Sequence, residues 1–218
     1  MRPVAVVPMN RLSLAKSRLA DSIEPESRRA LALWMGERVL REIQASGVVA
    51  RTAVVSPDPQ ALAWARALGV EALHQTEGRL NAGLEIGRSW SRSVGADTLL
   101  VLFGDLPLLT AEDVRALASS VEQTKSGTCV GLAPDRAERG TNGLALRPPS
   151  ALPFLFGTDS FHRHIEAARQ AGLETWTVRR LGASFDVDTP ADLDELRSRG
   201  LWTPSRCEAA ATTPGGGR

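Results

Sequence analysis

Leu99-Leu100-Val101-Leu102-Phe103-Gly104-Asp105-Leu106-Pro107 is the stretch that decides the fold. Its unbroken apolar run has no polar face, so a strand made of it must be covered on both sides. That is the position of a central strand in a parallel sheet with helices above and below. Gly104 and Pro107 shape a tight turn that leaves Asp105 just past the strand's carboxyl end. Open α/β sheets bind their ligands along that edge.

Working outward, strands and helices alternate. Val4 to Val7 is a short β-branched strand stopped by Pro8, and Thr52 to Val55 is a second. Between them, Leu31, Trp34, Met35, Val39 and Ile43 recur at helical spacing within 26–45. Asp58-Pro59 reads as a cap followed by a first-turn proline, and Gly69 closes that helix. A short strand at 72–74, a helix at 80–93 and a helix capped by Thr110 with Asp113 follow. Strands are expected at 129–132, 143–146 and 174–178, a helix at 160–171, and an extended segment at 185–187. Thr189-Pro190 opens a last helix running to Arg199. The expected fold is α/β: a doubly wound, mostly parallel, Rossmann-like sheet in three α/β/α layers. One domain is expected over 1–200, with a flexible tail over 201–218.

Composition narrows the function classes. The chain has 218 residues, 43% hydrophobic and 23% charged, an ordinary globular balance. A net charge of +1 gives no basic field for nucleic acid or anionic lipid, and the lack of tyrosine leaves little for stacking bases. No segment approaches the roughly 20 apolar residues of a membrane span, and the N-terminus carries no signal-peptide run. Cys129 and Cys207 form no close-spaced pair, so a disulfide framework or thiolate zinc site is not expected and a reducing cytoplasm fits.

Two polar constellations stand out. Asp186 and Asp188 flank Val187 in an extended stretch, whose alternation sends both carboxylates to one side. Together with Asp105 they suit Mg²⁺, which takes hard oxygen ligands and keeps places for phosphate and water. Read singly, each aspartate is equally a turn, strand or helix-start residue. The loop Arg11-Leu12-Ser13-Leu14-Ala15-Lys16-Ser17-Arg18 follows the first strand, where α/β folds place phosphate-binding turns. Lys16 offers a mobile ammonium and Arg18 a forked guanidinium. The glycines of a Walker loop or dinucleotide fingerprint are absent, which argues against an NAD site or a P-loop ATPase.

Taken in order, Pro8, Leu14-Ala15-Lys16-Ser17-Arg18-Leu19, Gly104-Asp105-Leu106-Pro107-Leu108-Leu109, Ala133-Pro134-Asp135-Arg136, Gly140-Thr141-Asn142, Phe156-Gly157-Thr158-Asp159-Ser160-Phe161 and Asp186-Val187-Asp188-Thr189-Pro190 resemble the CofC/FbiD family. These are guanylyltransferases of coenzyme F420 biosynthesis, within the MobA-like nucleotidyltransferases. The resemblance spans residues 3–197. It implies transfer of GMP from GTP to a small phosphorylated carboxylic acid, with release of pyrophosphate. Asp105, Asp186 and Asp188 would bind two Mg²⁺ ions. Pro8, Lys16, Arg18 and Asp105 would meet the nucleotide, the last three also serving catalysis. Thr141, Gly157 and Ser160 would hold the acid. The expected acceptors are phosphoenolpyruvate, 2-phospho-L-lactate and 3-phospho-D-glycerate, with phosphoenolpyruvate favoured for an Arg- and Ala-rich chain of bacterial character. The product would pass to a transferase acting on a deazaflavin precursor, and a homodimer is the expectation from base rates. Asn10 stands where members of the family often carry lysine, leaving Lys16, Arg11 or Arg18 to meet that phosphate.

His162 and His164 follow Ser160 and face either the acceptor pocket or solvent, whereas His74 is expected to be structural. Three other functions compete: another MobA-like nucleotidyltransferase, a metal-dependent glycosyltransferase using Asp186-Val187-Asp188 as its DxD motif, and a nucleotide sensor without turnover.

Overall fold

In a computed structural model, which describes residues 2–122 and 127–203, the apolar run becomes β4 (Thr98–Leu102), buried along its whole length. On one side lies β1 (Pro3–Pro8), parallel, with Val4 opposite Leu99. On the other lies β6 (Thr141–Arg147), antiparallel, with Leu146 opposite Leu99. β2 (Arg51–Ser56) and β3 (Glu71–His74) continue the sheet beyond β1, and β5 (Cys129–Pro134) and β7 (Glu174–Thr177) beyond β6. The order is β3-β2-β1-β4-β6-β5-β7, and only β6 runs against the rest. The connection from β5 to β6, residues 135–140, is too short for the crossover that parallel pairing requires.

Alternation along the strands splits the core into two layers. Ala5, Val7, Leu100 and Leu102 meet Val39, Leu40 and Ile43 of α1 (Pro25–Ala45), Ala65 of α2 (Pro59–Ala67) and Leu117 of α4 (Ala111–Ser119). Val4, Val6, Leu99 and Val101 meet Leu84 and Trp90 of α3 (Leu80–Ser93) and Phe161 and Ala168 of α5 (Ser160–Gln170). Each large aliphatic chain buried this way contributes about 1.5–3 kcal/mol. Every expected strand and long helix is present, as are the three layers.

The caps work as their residue types require. Asp58 accepts from Gln60 N, and Thr110 with Asp113 forms a reciprocal box at α4. Thr189 and Asp192 repeat that box at α7 (Pro190–Ser198).

The extended segment expected at 185–187 joins no strand ladder. Phe185 and Val187 instead enter a third cluster with Leu31 and Met35 of α1 and Leu193 and Leu196 of α7. Just before them, α6 (Leu181–Ser184) is a short helix where the sequence suggested none. The fold also continues past residue 200, because Trp202 is fully buried in the third cluster. Residues 204–218, the rest of the expected tail and the site of Cys207, lie outside the described residues. His74 is exposed at the end of β3 rather than structural. No helix among the described residues is long and apolar enough to cross a membrane.

Candidate active site

The carboxyl ends of β1 and β4 open into a cleft of about 560 Å³ lined by Pro8, Lys16, Arg18, Gly104, Asp105 and Asp188, among others. Its base is set by a backbone bond, Val187 N donating to Asp105 O at 3.3 Å. This contact seats the Asp186-Val187-Asp188 segment beside the turn after β4. Val187 is fully buried on the core side, and Asp186 and Asp188 stay near Asp105. Asp105 and Asp188 therefore meet in the cleft, with Asp186 close enough to Asp105 to feel its charge.

The centre of the cluster holds a cation from the chain itself. Lys16 Nζ lies 2.7 Å from Asp105 Oδ2 and 2.9 Å from Asp188 Oδ1. Arg18 Nη1 reaches Asp188 Oδ2 at 3.1 Å from a largely exposed position. The Lys16 side chain is only 9% exposed. Burial alone would lower its pKa, but Asp105 and Asp188 together hold it above the usual lysine range. Lys16 has φ 49°, a left-handed conformation uncommon outside glycine, between two turns of 3₁₀ helix at 12–14 and 17–19. Asp58 anchors the root of this loop, accepting from Leu12 N at 2.7 Å while its other oxygen caps α2. Although burial raises the Asp58 pKa, the bonds from Leu12 and Gln60 outweigh it and hold the group below its ordinary value.

Asp186 stands apart from the ion pairs. Asn142 Nδ2 donates to it at 3.2 Å, and burial followed by the charge of Asp105 pushes its pKa up. Among the described residues, no three Asp, Glu, His or Cys side chains are grouped as a ready cage for one ion. The oxygens of the three aspartates are hard donors of the kind Mg²⁺ takes, and their negative charge exceeds what Lys16 and Arg18 balance locally.

Thr141, Gly157 and Ser160 assemble next to this cleft rather than in its lining. Ser160 Oγ accepts from Thr141 N at 3.0 Å, and Ser160 N donates to Gly157 O at 3.2 Å. Thr141 and Ser160 are buried, whereas Gly157 is exposed with φ 127°, a backbone state that suits only glycine. Asn142, directly after Thr141, links this group to the carboxylates through Asp186. Phe156 links it to the cleft wall, edge-on to Phe103 with ring centroids 5.3 Å apart.

The two histidines part company. His162 is exposed and pairs with Asp159 at 3.0 Å. His164 is fully buried, its Nε2 accepting from Leu155 N at 3.0 Å and its Nδ1 lying 3.1 Å from Thr141 Oγ1. An acceptor Nε2 places the proton on Nδ1, so the imidazole is neutral and donates toward Thr141. Burial holds its pKa at about 4.

Sequence reading missed the roles of Asn142 and Asp58, as well as Gln75. Gln75 is a buried amide on the cleft wall that donates to the carbonyls of Glu77, Gly78 and Arg79 at 2.9–3.2 Å. Asn142 was within reach as the last residue of Gly140-Thr141-Asn142, and Asp58 was legible as a helix cap but not as the anchor of Leu12, 46 residues away.

Comparison with known proteins adds a separate line. The family pattern described as "Guanylyl transferase CofC like" matches residues 3–206. The phosphoenolpyruvate guanylyltransferase of Sphaerobacter thermophilus is 45% identical over 196 residues, covering 90% of this chain and 93% of that protein. The 2-phospho-L-lactate guanylyltransferase of Methanothermobacter thermautotrophicus is 33% identical over 211 residues, covering 94% and 89%. Among solved structures, a putative nucleotide-diphospho-sugar transferase from Desulfovibrio desulfuricans superposes with a TM-score of 0.75 over 90% of this chain and 87% of its own. At 17% identity that likeness speaks to the fold alone.

Proposed function

This chain belongs to the CofC-like guanylyl transferases, and we propose that it transfers GMP from GTP to phosphoenolpyruvate in coenzyme F420 biosynthesis. The observation that carries the reading is the joining of Lys16 to both Asp105 and Asp188 across 89 and 172 residues of sequence. That contact gathers the cation and carboxylates of a phosphoryl-transfer centre at the sheet edge where nucleotides bind. The names of the relatives favour phosphoenolpyruvate over 2-phospho-L-lactate, since the higher identity lies with the former.

A phosphate oxygen of the acceptor is anionic at neutral pH and needs no general base. It attacks the α-phosphorus of GTP, a new P–O bond forms, and the bond from the α-phosphorus to its bridging oxygen breaks. The electron pair leaves with pyrophosphate. The difficulty is bringing two anions together while charge grows on the leaving group. Asp105, Asp186 and Asp188 would hold Mg²⁺, which when bound neutralises phosphate charge and orients the reacting oxygens. Lys16, buried at the centre of the cluster, and the exposed Arg18 supply further positive charge, held ready by Asp105 and Asp188. The Gly157 turn, with Thr141 and Ser160 behind it, would receive the acceptor's anionic groups. The product contains a phosphoric anhydride, suited to a following transferase that acts on a deazaflavin precursor and expels GMP.

Incubation with GTP, Mg²⁺ and an equal mixture of phosphoenolpyruvate, 2-phospho-L-lactate and 3-phospho-D-glycerate tests the reading by mass spectrometry of the products. The guanylated enolpyruvate should dominate. Products from none of the three acids, with GTP intact, would refute it.

A further inference from the structure

We propose that Asn81, on the first turn of α3, is a positioning residue that aims the Gly157 N–H at the acceptor. The inference rests on the acceptor placement given above. Asn81 Nδ2 donates to Phe156 O at 3.2 Å, and Phe156 N donates to Asn81 Oδ1 at 3.1 Å. One side-chain amide thus grips both polar groups of a single backbone residue, as a neighbouring strand would. A peptide unit is planar, with its C=O and N–H pointing opposite ways. Holding Phe156 O toward α3 therefore turns the Gly157 N–H away from α3. Among the described residues that N–H has no hydrogen-bond partner, and it stands at the exposed turn before α5. A cation is close by, since a Cβ built on Gly157 would lie 3.9 Å from Arg163 Nη1.

Further support for this turn comes from the same helix. Arg88, seven residues on and so on nearly the same face, donates to Leu152 O at 2.7 Å and lies 4.0 Å from the Phe154 ring centroid. α3 thus holds the approach to Gly157 at Leu152, Phe154 and Phe156, with Asn81 at the point of contact. Its own start, Arg79 and Leu80, lines the nucleotide cleft. Asn81 therefore ties the wall of the nucleotide cleft to the acceptor turn. Only glycine is at ease at φ 127°, and a glycine is free to rotate without a clamp. The clamp gives an otherwise mobile donor one direction.

Two variants separate aim from packing. Asn81→Leu removes both bonds at similar volume. Asn81→Asp keeps the acceptor for Phe156 N, replaces the donor to Phe156 O by a second acceptor and adds a negative charge. Both should raise the KM for phosphoenolpyruvate about tenfold or more, with the KM for GTP within about twofold of the wild type. In ¹⁵N-labelled wild type, phosphoenolpyruvate added with GTP should shift the Gly157 amide resonance, and the shift should shrink in Asn81→Asp. An unchanged acceptor KM in both variants would overturn the inference. So would a rise in both KM values in step with lost thermal stability. If the wild type transfers GMP but its Gly157 amide ignores the acid, the acceptor placement fails and the role of Asn81 with it. A wild type that guanylates no phospho-acid would instead refute the proposed function.

Discussion

At the scale of single residues, charge decides the outcome. Asp105 and Asp188 share one buried ammonium, so each substitution there has two consequences. Asp105→Asn removes a negative charge at nearly constant volume and leaves Lys16 with one carboxylate. We expect pyrophosphate release to fall about 100-fold or more, the usual scale for losing one electrostatic contact to a transition state. Asp188 still pairs with Lys16, so circular dichroism should report an intact fold. Near-normal turnover would remove Asp105 from the chemistry. Ser160→Ala acts differently, because Ser160 Oγ is the partner of the buried Thr141 N–H. An orphaned buried donor costs about 1–3 kcal/mol, so stability should drop in urea titration. The KM for the acceptor should rise more than that for GTP, and the opposite order would exchange the two pockets.

At the scale of elements, α5 is tied to its surroundings by His164, which bonds to Leu155 N and Thr141 Oγ1. Its folded pKa of about 4 lies below the ordinary 6.5 of the unfolded chain. Above pH 6.5 neither state is protonated, and the contribution of His164 to stability is fully present. As pH falls toward 4 the unfolded chain binds the proton first, and stability is lost progressively across that window. The full loss is about 3 kcal/mol. His164→Gln does not titrate there, so its unfolding free energy should decline less than that of the wild type between pH 7 and 4.5. Parallel declines would show that another group governs the acid limb. Element structure was legible wherever periodicity had one meaning. The β1, β2 and β4 runs, the capped starts of α2, α4 and α7, and the whole span of α3 follow from residue type and spacing. At 185–187 the extended backbone was legible but its packing was not, because alternation of apolar and acidic residues reads alike whether Phe185 and Val187 face a sheet core or the α1–α7 cluster. Only the absence of a ladder partner distinguishes the two, and that is decided by distant chain.

At the scale of the whole molecule, the site is a meeting of three regions: the loop after β1, the turn after β4, and the stretch before α7. Asp105 could be located from sequence because it ends a central strand. Its pairing with Lys16 could not, because a contact across 89 residues leaves no local trace. The bonds of Asp58 to Leu12 and of Asn81 to Phe156 were hidden for the same reason. This construction makes a prediction about global stability. A ligand that bridges all three regions binds only the folded chain, so it stabilises by mass action, about 2.7 kcal/mol at 100 times its Kd. GTP touching only the Lys16 loop would act on one region. GTP with Mg²⁺, engaging the carboxylates as well, acts on all three. The melting temperature should therefore rise more with GTP and Mg²⁺ together than the shifts for each alone would suggest. Asp186→Asn should reduce that excess while leaving the shift with GTP in EDTA largely intact, since Asp186 forms no ion pair with Lys16 or Arg18. If EDTA does not diminish stabilisation by GTP in the wild type, the carboxylates hold no ion with the nucleotide, and their role would be confined to seating Lys16.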